Sequence, residues 1–101
     1  MPPVHGSATR DELLDHFDKH VVQRREFLFT TEDEYEAAAI AFMTRPLDSD
    51  TEEQTRLRDN AVIRLNRRTN EIGIVHADGY MGSYFRVRLS DPYRYFLRTC
   101  R

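Results

Sequence analysis

Asn70-Glu71-Ile72-Gly73-Ile74-Val75-His76-Ala77-Asp78-Gly79-Tyr80-Met81-Gly82-Ser83-Tyr84-Phe85-Arg86-Val87-Arg88 reads as two strands joined by a tight turn. Asp78-Gly79 is one of the dipeptides that accept positive φ at both centre positions of a type I′ hairpin. Glu71 to Ala77 is short and rich in β-branched residues. Tyr80 to Leu89 alternates, with Met81, Ser83, Phe85, Val87 and Leu89 on one face and Tyr80, Gly82, Tyr84, Arg86 and Arg88 on the other. The first set suits a core. The second presents two tyrosines and two arginines, an unusual composition for a plain solvated face.

The segments before the hairpin fit the same sheet. Ala61 to Asn66 alternates as a strand, with Ala61, Ile63 and Leu65 on one side and Val62 and Arg64 on the other. Gln54 to Arg58 is a weaker strand. Asp59-Asn60 and Arg67 to Asn70 supply the turns. Connections this short make the four strands an antiparallel meander.

Helical signals flank the strands. Thr9-Arg10-Asp11-Glu12 is a capping box, and the helix it opens places Leu13, Leu14, Phe17 and Val21 on one stripe. His16 and His20, four apart, stack along the boundary of that stripe with solvent. Thr31-Glu32-Asp33-Glu34 is a second capping box. Its helix gathers Tyr35, Ala38, Ala39, Phe42 and Met43 and stops before Pro46. Leu47 to Glu53 reads as an acidic loop. Asp91-Pro92 opens a short C-terminal helix with Tyr93, Phe96 and Leu97 as its apolar side. The expected fold is α+β: two N-terminal helices packed on one face of a four-stranded antiparallel meander, and a short C-terminal helix. The opposite sheet face is expected to stay partly open, carrying Tyr80, Tyr84, Arg86 and Arg88, joined by Arg64 and by Arg56 or Arg58. Residues 1–8 read as a flexible tail and 9–101 as one domain.

The chain has 101 residues, 40% hydrophobic and 32% charged, which fits one folded domain with a modest core. No run approaches the roughly 18 apolar residues of a membrane span. The N-terminus lacks the basic start and apolar stretch of a signal peptide, so a cytoplasmic site of action and no membrane partner are expected. A single cysteine, Cys100, excludes an internal disulfide. The net charge of -2 conceals an asymmetry. Met1 to Glu53 holds 5 basic and 13 acidic residues, and Gln54 to Arg101 holds 10 basic and 4 acidic. All but one of the basic residues are arginine, the better fork for phosphate, although composition alone also produces such a bias.

Two groups of residues invite chemistry. His16 and His20 have the spacing of a helical metal pair, but Phe17 replaces the glutamate of His-Glu-x-x-His, and a third ligand would have to be His76 or an acid. They read as surface histidines or as acid–base groups, for which an ordinary pKa near 6.5 is suited. The Tyr/Arg face reads either as a solvated face paired with acids or as a surface where arginine holds phosphate and tyrosine stacks on unpaired bases. Ser83 lies beside Tyr84 without a Gly-x-Ser-x-Gly elbow, so its hydroxyl is a hydrogen-bonding group rather than a nucleophile.

One ordered set of residues resembles a known family. His16-Phe17-x-x-His20, Phe27, Glu34-Tyr35-x-x-x-Ala39-x-x-Phe42, Asn70 to Val75, Asp78-Gly79, Ser83-Tyr84-Phe85-Arg86 and Tyr95-Phe96 together are similar to small toxin nuclease domains. These stand at the ends of bacterial polymorphic and contact-dependent toxins, in the barnase, EndoU, colicin and RelE group. The resemblance spans nearly all of His16 to Arg101. It implies metal-independent, cofactor-free cleavage of RNA, single-stranded or tRNA-like, by attack of the 2′-oxygen to leave a 2′,3′-cyclic phosphate. His16 or His20 would be the acid–base group. Arg86 stands where the family usually has lysine, and Ser83 where it usually has threonine. On the functional reading of the Tyr/Arg face, Arg64, Tyr80, Tyr84 and Arg88 would bind that RNA. The chain departs from the pattern at Val21, where a glycine is usual, and at Val87, where proline is usual. A cognate immunity or antitoxin protein would be a partner. The competing readings are a non-catalytic RNA- or protein-binding module on the same scaffold, and a structural protein whose Tyr/Arg face is an oligomer interface.

Overall fold

The structure is a computed structural model and describes residues 4–88 and 90–101. It is α+β. Four strands, β1 (Thr51–Arg56), β2 (Ala61–Asn66), β3 (Glu71–Val75) and β4 (Met81–Arg86), form one antiparallel sheet in sequential order. Helices α1 (Arg10–Phe17) and α2 (Glu32–Thr44) precede it, with a π-helical segment (Asp18–Gln23) after α1, and α3 (Pro92–Thr99) follows it. Leu89, expected on the core-facing side of the last strand, and residues 1–3 of the expected tail lie outside the described residues.

The sheet is covered on both faces, which corrects the expectation of an open one. On one side Leu13, Val21, Phe27, Tyr35, Phe42 and Met43 pack with Val62, Val75, Met81 and Tyr84. On the other, α3 lays Phe96 onto Ile63, Leu65, Ile72 and Val87. Every residue of β2 is buried. That follows from its composition: apolar side chains project from both sides of Ala61–Leu65, the pattern of a strand with two covered faces. On the α2 side a cross-strand row runs Arg64–Gly73–Tyr84. At Gly73 the helix side chains press against the sheet, and a Cβ there would strike Met43 and Phe42.

The helix starts follow their caps. The Thr9 hydroxyl accepts from the Glu12 N–H at 3.1 Å, the Thr31 hydroxyl from Glu34 at 3.2 Å, and the Asp91 carboxylate from Arg94 at 3.0 Å, satisfying first-turn donors. The first helix departs from expectation at Asp18. Its backbone widens to i→i+5 bonding, with the Arg24 N–H donating to the Lys19 carbonyl at 3.0 Å. Widening rotates the residues that follow relative to an α-helix. His20 is thereby buried rather than left at the solvent boundary.

The turns also differ. β1 starts at Thr51, earlier than expected, and Leu57–Asn60 forms a longer turn in which Asn60 takes φ 59°. Arg56 grips Asp59 through two hydrogen bonds, 3.0 and 2.8 Å, and holds its carboxyl down at about 2. In the last hairpin only Gly79 has positive φ, 93°. His76 donates to the Tyr80 carbonyl and Gly79 to the His76 carbonyl, both at 2.9 Å, so the loop is the three residues Ala77–Gly79 and not a type I′ pair. A bulge then pairs Val75 with Met81 and Ile74 with Ser83, leaving Gly82 unpaired. The slip returns Met81 to the Tyr84 cluster, away from the face that simple alternation assigns it. Within the expected tail, the His5 N–H donates to Gly79 at 2.8 Å and the Gly6 carbonyl accepts from Met81 at 2.6 Å.

Candidate active site

β4 is an edge strand, and its outward backbone donors need partners. Glu26 supplies one: its Oε1 accepts the Arg86 N–H at 2.8 Å, across 60 residues of sequence. Arg25, at φ 50°, turns the chain out of the π-helix, and the Glu26 N–H closes the turn on the His20 carbonyl at 2.8 Å. The same carboxylate meets His20, whose Nδ1 lies 3.1 Å from Oε1 and 3.2 Å from Oε2. His20 and Glu26 are only 5% and 4% exposed. The imidazole stacks on Phe85, with centroids 5.6 Å apart and planes at 19°. Two residues from two segments, Glu26 and Phe85, hold one histidine ring.

A carboxylate accepts, so Nδ1 carries the proton and Nε2 keeps a free lone pair. Among the described residues Nε2 has no partner, yet no buried side-chain nitrogen lacks one, so Nε2 reaches solvent. Burial pushes the His20 pKa down, and the hydrogen bond and charge of Glu26 push it partly back. The ring is therefore neutral at neutral pH, oriented by an acid behind it and basic at its open nitrogen.

The dyad borders a groove of two lobes between the exit of the π-helix, β4 and α3. One lobe, about 350 Å³, is lined by Arg24, Glu26, Phe85, Arg86, Arg88 and Tyr95, among others. The second, about 220 Å³, is lined by Lys19, His20, Arg24, Ser83, Phe85 and Tyr95, among others. Arg24 Nη1 is 3.9 Å from Glu26 Oε2. The Arg86 guanidinium lies 5.2 Å from the Phe27 ring centroid. Four cations, Lys19, Arg24, Arg86 and Arg88, thus line the two lobes against a single carboxylate that is already engaged, which suits an anionic ligand.

Of the expected site residues, His20, Ser83, Arg86 and Arg88 come together along this groove. His16 is half-buried beside them, its ring centroid 6.1 Å from that of His20. It lines a separate crevice of only about 10 Å³, which it shares with Ser83. Its pKa is lowered, mainly by burial, against the opposing pull of Glu12.

The other expected RNA-binding residues are elsewhere. Arg64 is buried: its Nε meets Glu53 at 2.6 Å and its Nη1 donates to the carbonyls of Phe42 and Arg45 at 3.1 and 2.8 Å. It closes the C-terminal end of α2, where a cation is favoured. Tyr84 is a core residue stacked on Phe27 at 4.7 Å, with its hydroxyl donating to Glu71. Its phenol pKa is pushed up, chiefly by burial. Tyr80 sits at the hairpin tip against His5, ring centroids 5.2 Å apart, and lines neither lobe. Arg56 is held by Asp59 and the Thr99 carbonyl, and Arg58 is exposed in the β1–β2 turn. The physical reason is common to Arg64 and Tyr84: α2 covers the face expected to be open.

Glu26, Arg24, Lys19 and Tyr95 are the groove residues that the sequence reading missed as site groups. The available signal was Glu26 itself, a lone acid following two arginines and preceding a buried phenylalanine. Among the described residues no three His, Cys, Asp or Glu side chains cluster as a metal site, and no helix is long and apolar enough to cross a membrane. No protein-family profile matches the chain, and no curated protein matches it.

Proposed function

We propose that the chain is a metal-independent endoribonuclease of bacterial toxin type, cleaving RNA by 2′-oxygen attack. The observation that carries the reading is the Glu26–His20 dyad, buried behind and open in front, at the rim of an arginine-lined groove. His20 Nε2 takes the proton of the 2′-hydroxyl. The 2′-oxygen bonds to phosphorus, and the bond from phosphorus to the 5′-oxygen breaks. The departing oxygen takes a proton from protonated His16, the neighbouring imidazole. Arg24 and Arg86 hold the non-bridging oxygens as negative charge builds, and the Ser83 hydroxyl donates to one of them. The products are a 2′,3′-cyclic phosphate and a free 5′-hydroxyl. The toxin reading places the action in the cytoplasm and implies a cognate inhibitor protein.

The test is incubation of purified, folded protein with end-labelled RNA, tRNA included, in EDTA. Cleavage with cyclic phosphate ends is expected, reduced about 10²-fold or more in His20→Ala. RNA left intact at high protein concentration refutes the proposal. One observation favours a second reading, a non-catalytic RNA- or protein-binding module. The crevice at His16 holds about one water and admits no ribose in this conformation. That reading predicts salt-sensitive RNA binding without cleavage.

A further inference from the structure

We infer that Phe85 and Tyr95 form a wedge that parts the bases of two successive nucleotides of an unpaired strand. The inference rests on the ribonuclease reading for its choice of ligand and adds what that reading leaves open, the state of the strand. Phe85 and Tyr95 meet edge to face, with centroids 5.9 Å apart and planes at 82°. Both rings, with Arg24, line both lobes of the groove, so their contact lies where hollows of about 350 and 220 Å³ meet. Tyr95 is half-buried, and its hydroxyl has no hydrogen-bond partner among the described residues. The Arg98 guanidinium lies 5.9 Å from its ring centroid.

Cations accompany both hollows. Arg86 and Arg88 line the larger, Lys19 the smaller, and Arg24 reaches both. Phe85 already carries the His20 imidazole on one face, so Tyr95 offers the aromatic face for a base, and its place among these cations matches the alternation of base and phosphate along a strand. Every base has a π face, so such a groove tolerates sequence. It does not tolerate pairing, because a base in a duplex is stacked between its neighbours and cannot enter a hollow on one side of a wedge.

Fluorescence anisotropy with a labelled strand about ten nucleotides long tests this directly. The strand is 2′-deoxy, so that it binds but offers no nucleophile for cleavage, and it is compared with its own duplex at one fixed salt concentration. The single strand is expected to bind at least about tenfold more tightly. Tyr95→Leu keeps apolar bulk against Phe85 but removes the aromatic face; it should weaken single-strand binding about 5- to 150-fold, the range that one base–aromatic stack spans. Its salt dependence should be unchanged, since no phosphate contact is lost. Tyr95→Phe should bind like the parent. Ring-proton shifts of Tyr95 in the unmodified chain, followed by NMR as the strand is added, provide the same test without a variant. Equal affinity for strand and duplex, unweakened binding by Tyr95→Leu, or unmoved Tyr95 resonances overturn the wedge. If the deoxy strand binds as expected while RNA stays intact, the wedge stands and the nuclease reading falls. If RNA is cut with no preference for unpaired strands, the reverse holds.

Discussion

Glu26→Gln separates orientation from packing at the dyad. The amide is nearly isosteric with the carboxylate, so the side chain stays in place and Oε1 can still accept the Arg86 N–H, now 2.8 Å away. The position of Oε2, 3.2 Å from His20 Nδ1, becomes an NH₂ donor. Oε1, 3.1 Å from Nδ1, still accepts but is now uncharged and shared with the Arg86 N–H, while the new donor opposes the Nδ1 proton, so the balance shifts toward the tautomer with the proton on Nε2. In that tautomer the lone pair that takes the 2′-proton is gone. Loss of a positioned general base costs about 10²- to 10⁴-fold in rate. Stability should fall much less, by about 1–2 kcal/mol, because one charge-assisted hydrogen bond becomes a neutral one. Glu26→Ala behaves differently: it strips partners from one buried donor, His20 Nδ1, and one part-buried donor, the Arg86 N–H, and should lower stability by about 2–4 kcal/mol. Cleavage rates, urea unfolding and ¹⁵N shifts of His20, which distinguish the tautomers, are the three measurements. Removing Glu26 also removes the two effects that raise the His20 pKa, so its titration in Glu26→Gln should move lower. Wild-type tautomer and rate in Glu26→Gln would refute the assigned role of the carboxylate.

Arg86→Ala should reduce cleavage about 10²-fold with little change in unfolding midpoint, since its side chain is exposed and its backbone N–H still meets Glu26. Arg64→Ala should do the opposite, lowering stability by about 3 kcal/mol in urea unfolding because Glu53 and two helix-end carbonyls lose their partner, while folded protein keeps its specific activity. His16 and His20 both have lowered pKa values, so in their range the unfolded chain binds more protons than the native one. Stability should be full above pH 6.5 and decline as pH falls below it; unfolding midpoints from about pH 7.5 down to about pH 5 should show the decline, and less of it in His20→Gln. The same shifts set the pH–rate profile: a neutral His20 and a protonated His16 coexist best on the acid side of pH 6.5, and a maximum in kcat/KM above pH 7.5 would contradict the pairing of roles.

Local signals carried most of the fold. The capping residues Thr9, Thr31 and Asp91 each start a helix, and the short turns deliver four strands in chain order. What alternation within one strand cannot express is where that strand lies in the sheet. Arg64 and Arg86 both project toward the α2 side, yet Arg64 belongs to the fully buried β2 and closes a helix end, whereas Arg86 belongs to the edge strand and reaches solvent. Tyr84 shares that side and is a core residue. The burial of both faces was written in the apolar residues on either side of β2, a pattern that outranks the Tyr/Arg alternation of β4 because the central strand has no route to water.

The site was less legible because its central contact is long-range. Nothing near Glu26 points to Arg86, and nothing in Asp18–Gln23 points to π-helical winding, which is what brings His20 around to the carboxylate. An edge strand with an open donor needs an acceptor, and a base-competent imidazole needs an acid behind it; one glutamate meets both needs here. Closure of the sheet edge and alignment of the imidazole are therefore one structural event. It follows that opening the 24–26 turn should disorder His20 and free the Arg86 N–H together, so hydrogen exchange at Arg86 should track the His20 tautomer across Glu26 variants. Protection of that amide without a change in tautomer, or the reverse, would show the two to be independent.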